Sequence, residues 1–126
     1  MAPMDMIQTA LQLIVALGIL NVWLLRFGKS TSWRGGDAKN MREEFEVYGL
    51  PNSVMIAVGS TKVTLAVALV VGIWVPILTL PASVGLALLM GVAIAMHFKV
   101  KDPPKKSVPA MTIFTLSLAI AVLSRL

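Results

Sequence analysis

Long apolar runs alternate along the chain with short polar, charged connectors. Four runs stand out, at residues 6–25, 54–78, 82–98 and 109–123. A helix needs ~20 apolar residues to cross a ~30 Å hydrocarbon layer, and ~17 are tolerated. The first two runs meet that length. The last two lie near its lower limit, where slight local thinning of the bilayer accommodates them. Lipid cannot satisfy open backbone groups, so each run is expected to be a helix. The expected fold is all-α: a four-transmembrane-helix bundle forming one membrane domain over residues 1–126, with helices at about 6–25, 54–78, 82–98 and 109–124.

The connector 27–53 has a pattern of its own. Residues 33–51 read WRGGDAKNMREEFEVYGLP. Gly35-Gly36 breaks the chain, and Asp37 can cap a helix. Met41, Phe45 and Tyr48 then recur at i, i+4 and i+7, one face of a helix. Gly49 and Pro51 follow in the order of a helix C-terminus. The spacing predicts a short amphipathic helix over 37–48, lying at the membrane surface or folded back over the bundle. Glu43 and Glu46 fall on its solvated side. Glu44 lies at the edge of the apolar face.

Composition sharpens the picture. The chain is 57% hydrophobic and 13% charged, against about 25% charged in soluble domains, so lipid must cover much of the apolar surface. With no cysteine, disulfides, thiol relays and thiolate metal sites are excluded. No cleavable signal peptide is expected, because Asp5 precedes the first run in place of a basic region and no A-x-A site follows. The net charge of +5 is concentrated in the connectors, at Arg26, Lys29, Arg34, Lys39, Arg42, Lys99, Lys101, Lys105 and Lys106. The positive-inside rule then places loops 27–53 and 99–108 in the cytoplasm and both termini outside. Trp23 and Trp74 fall where interfacial aromatic belts form. Because the basic excess follows the membrane surface, no nucleic-acid partner is needed to explain it.

Polar groups within the runs are few, which makes each one informative. Lys62 falls about ten residues into the second helix, or ~14 Å of rise, close to the bilayer midplane. A cation at that depth is costly and marks a functional site by default. Gly59 and Ala66 share its face, and Ser60, Thr61 and Thr64 surround it. Two readings compete. Lys62 snorkels toward the cytoplasmic headgroups, or it pairs with a carboxylate from the loop, Glu44 first and Glu43 next. His97 lies near the inner end of the third helix, just before Asp102 and Pro103-Pro104. It serves as an interfacial hydrogen-bonding residue, a group titrating near neutral pH, or a ligand to a metal or haem, although no metal-cage spacing accompanies it. Asn21, Gln8 and Gln12 are amides suited to bonding across helices. Ser83, Ala87, Gly91 and Ala95 repeat every four residues as a small-residue ridge. The ridge packs helices within one chain, or joins two copies as a homo-oligomer.

Several stretches together resemble the DoxX-like family of small four-helix membrane proteins. They are Arg34-Gly35-Gly36, Ala38-Lys39-Asn40-Met41, Glu43-Glu44-Phe45 and Tyr48-Gly49-Leu50-Pro51. Lys62, Leu89-Met90-Gly91, Met96-His97, Lys101-Asp102-Pro103 and Pro109-Ala110 extend the likeness over most of the chain from Arg34 onward. The resemblance implies a four-helix bundle. In the broader family it implies links to thiosulfate oxidation with quinone as acceptor, or to membrane partners of redox enzymes. The absence of cysteine argues against direct sulfur chemistry here. Two functional classes follow: a component of a quinone-linked or other membrane redox system, with Lys62 or His97 bonding a quinone carbonyl, and a non-catalytic accessory subunit of a larger membrane complex. The candidate polar cluster is Lys62, His97, Glu44, Glu43, Asp102 and Arg34, with no metal assigned.

Overall fold

The fold is seen in a computed structural model that describes residues 3–126, with side chains from Met6 onward. The side chain of Asp5, on which the signal-peptide reading rests, and the N-terminus itself lie outside the described residues. Among the described residues five α-helices form: α1 (Pro3–Leu20), α2 (Met41–Val47), α3 (Asn52–Val71), α4 (Thr79–Lys99) and α5 (Val108–Leu123). A π-helical turn, Asn21–Leu25, prolongs α1. Short 3-10 turns, Pro76–Leu78 and Pro104–Ser107, lead into α4 and α5. The four long helices are long and apolar enough to cross a membrane, over Met6–Leu25, Asn52–Val71, Pro76–Lys99 and Pro104–Leu123.

Each long helix packs on two neighbours in the cyclic order α1, α3, α4, α5. Spans consecutive in sequence adjoin, and the first and last, α1 and α5, close the ring, so the helices run alternately up and down. Val15, Ile19, Ala66, Leu69, Leu86 and Ile120 meet in the core. Gln12 donates to the Leu69 carbonyl at 2.8 Å, bonding α1 to α3 across the interior. Large side chains such as Leu17, Ile56, Leu88 and Val122 point outward, where lipid covers them.

Several predicted boundaries move. The second helix ends at Val71, seven residues before the predicted Leu78, because Gly72 caps it and Pro76 starts a new turn. The apolar run continues unbroken through that turn, so hydropathy cannot locate it. Pro81 lies inside the first turn of α4, where its missing N–H is not needed. The loop helix begins at Met41 instead of residue 37. Asn40 is its cap, accepting the Glu43 N–H at 2.9 Å, while Asp37 is exposed. Met41 and Phe45 belong to the core cluster, so α2 folds back over the bundle. The small-residue ridge also divides. Ser83 and Ala87 are buried, Gly91 faces Phe114 of α5, and Ala95 is exposed. Each four-residue step overshoots a full turn by about 40°, which carries Ala95 off the packed face.

Candidate functional site

The polar residues gather at the end of the bundle where α1 leaves, α2 crosses, and the α4–α5 turn lies. Arg34 organises the first connector. It is 4% exposed, and its guanidinium bonds the carbonyls of Arg26 at 2.6 Å, Lys29 at 2.8 Å and Phe27 at 3.3 Å. These carbonyls follow the π turn and lack helical partners, the usual need at a helix C-terminus. Arg34 also lies 3.6 Å from a Glu44 oxygen. The other Glu44 oxygen accepts the Gly35 N–H at 2.8 Å.

A second set hangs on Asp102. Lys101 adopts φ 58°, a left-handed conformation typical of the residue just past a helix end. It turns the chain so that Asp102 reaches back to His97, with Oδ2 2.7 Å from Nδ1. Oδ1 accepts the Gly36 N–H at 2.9 Å and lies 4.0 Å from Lys106. Burial raises the Asp102 carboxyl, but the hydrogen bonds from His97 and Gly36 and the charges of His97 and Lys106 outweigh it and hold it below its ordinary value. The far ring nitrogen of His97 is 3.5 Å from the Tyr48 hydroxyl. Which of the two donates there follows the tautomer of the ring. Burial, and then the nearby charges of Glu44 and Asp102, raise the Tyr48 phenol. Lys99 bonds the Tyr48 carbonyl at 2.8 Å, and Lys106 bonds the Gly36 carbonyl. The connector is thereby latched to the end of α4.

Two glycines make the latch possible. A Cβ on Gly35 would stand 2.5 Å from the Tyr48 ring, and Gly36 has φ +54° with Val47 at 2.9 Å from where its Cβ would be. No side chain fits the first, and L residues seldom adopt the second.

Lys62 takes neither of its expected roles in full. Among the described residues no carboxylate lies within ion-pairing distance of it, and none of its N–H groups has a hydrogen-bond acceptor. The direct Lys62–Glu44 pair is therefore corrected: Glu44 is committed to Arg34 and Gly35. The Lys62 ammonium lies over the Trp23 ring instead, 5.5 Å from its centroid, and the residue is 8% exposed. Trp23 is correspondingly buried and does not form an interfacial belt. The π turn rotates it inward, and Gly59 receives it: a Cβ there would stand 2.4 Å from the indole. Trp23, Phe45, Tyr48 and His97 then follow edge to face, with centroids 6.0, 6.2 and 5.8 Å apart. This aromatic row joins Lys62 to the Asp102 set.

Glu43 stays outside both sets. It bonds the Lys39 N–H at 3.0 Å and the Asn40 amide at 3.1 Å, closing a reciprocal cap on α2. Beside Phe45 lies an open groove of about 250 Å³, lined by Arg42, Phe45, Glu46, Leu50 and Asn52. Sequence reasoning missed this groove, since Arg42 and Glu46 read as an ordinary solvated face. It also read Tyr48 as apolar. The Gly35-Gly36 pair was the available signal that a bulky group must come close.

The sequence model of the DoxX-like family covers residues 10–122. No curated protein and no solved structure matches the chain.

Proposed function

Because this integral membrane protein belongs to the DoxX-like family, we propose that it is a quinone-facing component of a membrane redox system. In this reading the groove beside Phe45 receives the quinone ring, and both long connectors face the cytoplasm. The groove carries the proposal. A quinone is a flat ring with apolar faces and oxygens at its edge. Phe45 and Leu50 supply apolar walls, Arg42 and Asn52 supply N–H donors for a carbonyl, and Glu46 supplies an acceptor for the hydroxyl of the reduced form. Asn52 opens α3, so the groove lies at the level where the span begins and an amphiphilic quinone presents its ring. A volume of about 250 Å³ admits one such ring.

When bound, the quinone supplies the electron chemistry. This chain's own residues bind and orient it. Lys62 and His97 are too enclosed to meet it directly. His97, Asp102 and Tyr48 act behind Phe45 by holding α2 in place. The accessory-subunit reading rests on the α4 ridge and α2 as contact surfaces, but Ser83 and Ala87 of the ridge are buried within the chain and α2 turns Met41 and Phe45 into its own core.

The test is a titration of the protein in nanodiscs with a short-chain ubiquinone, read by tryptophan fluorescence. Trp33→Phe and Trp74→Phe leave Trp23, whose ring is 6.0 Å from Phe45. Saturable quenching is expected, weakened about tenfold in Arg42→Ala, the order expected for losing a hydrogen bond from a charged group. Quenching that never saturates and is unchanged in Arg42→Ala contradicts the proposal.

A further inference from the structure

We infer that the protein carries a second site, for one molecule of an anionic phospholipid. The phosphodiester is held by Trp33, Lys101 and Lys105, and an acyl chain lies along α5. The charges at this end are the first observation. Nine of the 11 Lys and Arg residues are there, all but Lys62 and Arg125, with five of the six Asp and Glu. The acids are largely consumed internally: Glu44 by Arg34 and Gly35, Glu43 by the α2 cap, Asp102 by His97 and Gly36. Lys101 and Lys105 are exposed and, among the described residues, form no ion pair. The Lys105 ammonium lies over the Trp33 ring, 5.9 Å from Nζ to centroid. Lys101 holds its charge at a left-handed position where glycine or asparagine is usual.

These residues lie at the same end of the molecule, with Lys105 over Trp33. The Gly36–Asp102 and Lys106–Gly36 bonds dock the Trp33 connector onto the α4–α5 turn. α4 ends at Lys99 and the last span starts at Pro104, so Lys101 and Lys105 stand at headgroup level. Trp33 is 41% exposed, as an indole at that level prefers.

What selects a lipid is the surface just beyond. An open groove of about 380 Å³ begins at Val108, three residues after Lys105, and runs along α5 past Met111, Thr112 and Thr115 to Leu116. Its length is about 12 Å by helical rise. Thr112 returns its hydroxyl hydrogen to the Val108 carbonyl at 2.8 Å, so that hydroxyl is satisfied within its own helix. An extended acyl chain fits this groove below a phosphate at Lys105. A free phosphate ion or an acidic peptide would leave the apolar half unused.

Native mass spectrometry of delipidated protein with added lipid tests this directly. Phosphatidylglycerol should bind about tenfold more tightly than zwitterionic phosphatidylcholine. Lys101→Gln and Lys105→Gln should each weaken phosphatidylglycerol about fivefold, the scale of one basic residue near an anionic surface. Thr115→Trp, which fills the groove without touching a charge, should weaken it as well. Equal binding of the two lipids, or full retention of phosphatidylglycerol in the double lysine variant, overturns the site. Displacement by inorganic phosphate, or indifference to Thr115→Trp, overturns the lipid as its ligand. None of these outcomes bears on the quinone groove, which shares no residue with this site.

Discussion

Lys62 illustrates what one residue discloses and what it does not. A lysine ten places into an apolar run is visible in the sequence as a demand for compensation. The compensating group was not visible. It is a Trp23 face, delivered by a π turn that leaves no compositional trace and seated on Gly59, whose smallness is the one residue-level hint. Arg34 and Glu44 are a different case, with a guanidinium sealed under three carbonyls and one carboxylate. Glu44→Ala therefore strands Arg34, at a cost of about 2 kcal/mol after allowance for the partial exposure of Glu44. Lys62→Met removes a buried cation that has no acceptor and should leave stability unchanged or raised. Combined, the two substitutions should add to within about 0.5 kcal/mol, measured by thermal unfolding in one detergent. A coupling above about 1 kcal/mol would restore the direct Lys62–Glu44 pair.

At the scale of elements, the four apolar runs were legible because lipid demands length and hydropathy. Their ends were not, wherever the turn itself is apolar: the α3–α4 turn, Gly72 to Leu78, reads as more helix. In α2 the apolar spacing was legible. The choice of Asn40 over Asp37 as cap was not, although Glu43 stands three residues after Asn40 and returns the cap by accepting from the Lys39 N–H and the Asn40 amide; Gly36, just before Asp37, is held by Asp102. That latch gives a pH dependence. The folded carboxyl of Asp102 lies below its ordinary value, so its contribution is present above the unfolded value of about 3.9. It is lost as pH falls through the depressed folded value. The wild type should lose thermal stability on acidification below about pH 4 more steeply than Asp102→Asn, which starts lower and lacks this limb. Amide exchange at Gly36 should quicken in the variant at neutral pH. Parallel acid limbs, with unchanged Gly36 exchange, would mean that Asp102 does not hold the connector.

For the whole molecule, the alternation of long apolar runs and short connectors made the bundle readable, and the basic residues of the connectors are what its proposed orientation rests on. The convergence of residues 34–36, 45–48 and 97–106 at one end was not readable, since it depends on which helices adjoin in the ring. The orientation can be checked with single cysteines against a cysteine-free background. Ser32→Cys and Lys101→Cys, both at exposed positions, should be protected from an impermeant maleimide in intact cells, while Leu126→Cys reacts. The reverse pattern would place the connectors outside.

The proposed quinone site on the latched connector can be mapped by photolabelling in nanodiscs with an azido-quinone and locating the adducts by mass spectrometry. Adducts are expected within residues 42–52, suppressed by excess unmodified quinone and diminished in Arg42→Ala. Adducts spread over the lipid-facing sides of α1 and α5, unaffected by competitor, would contradict it.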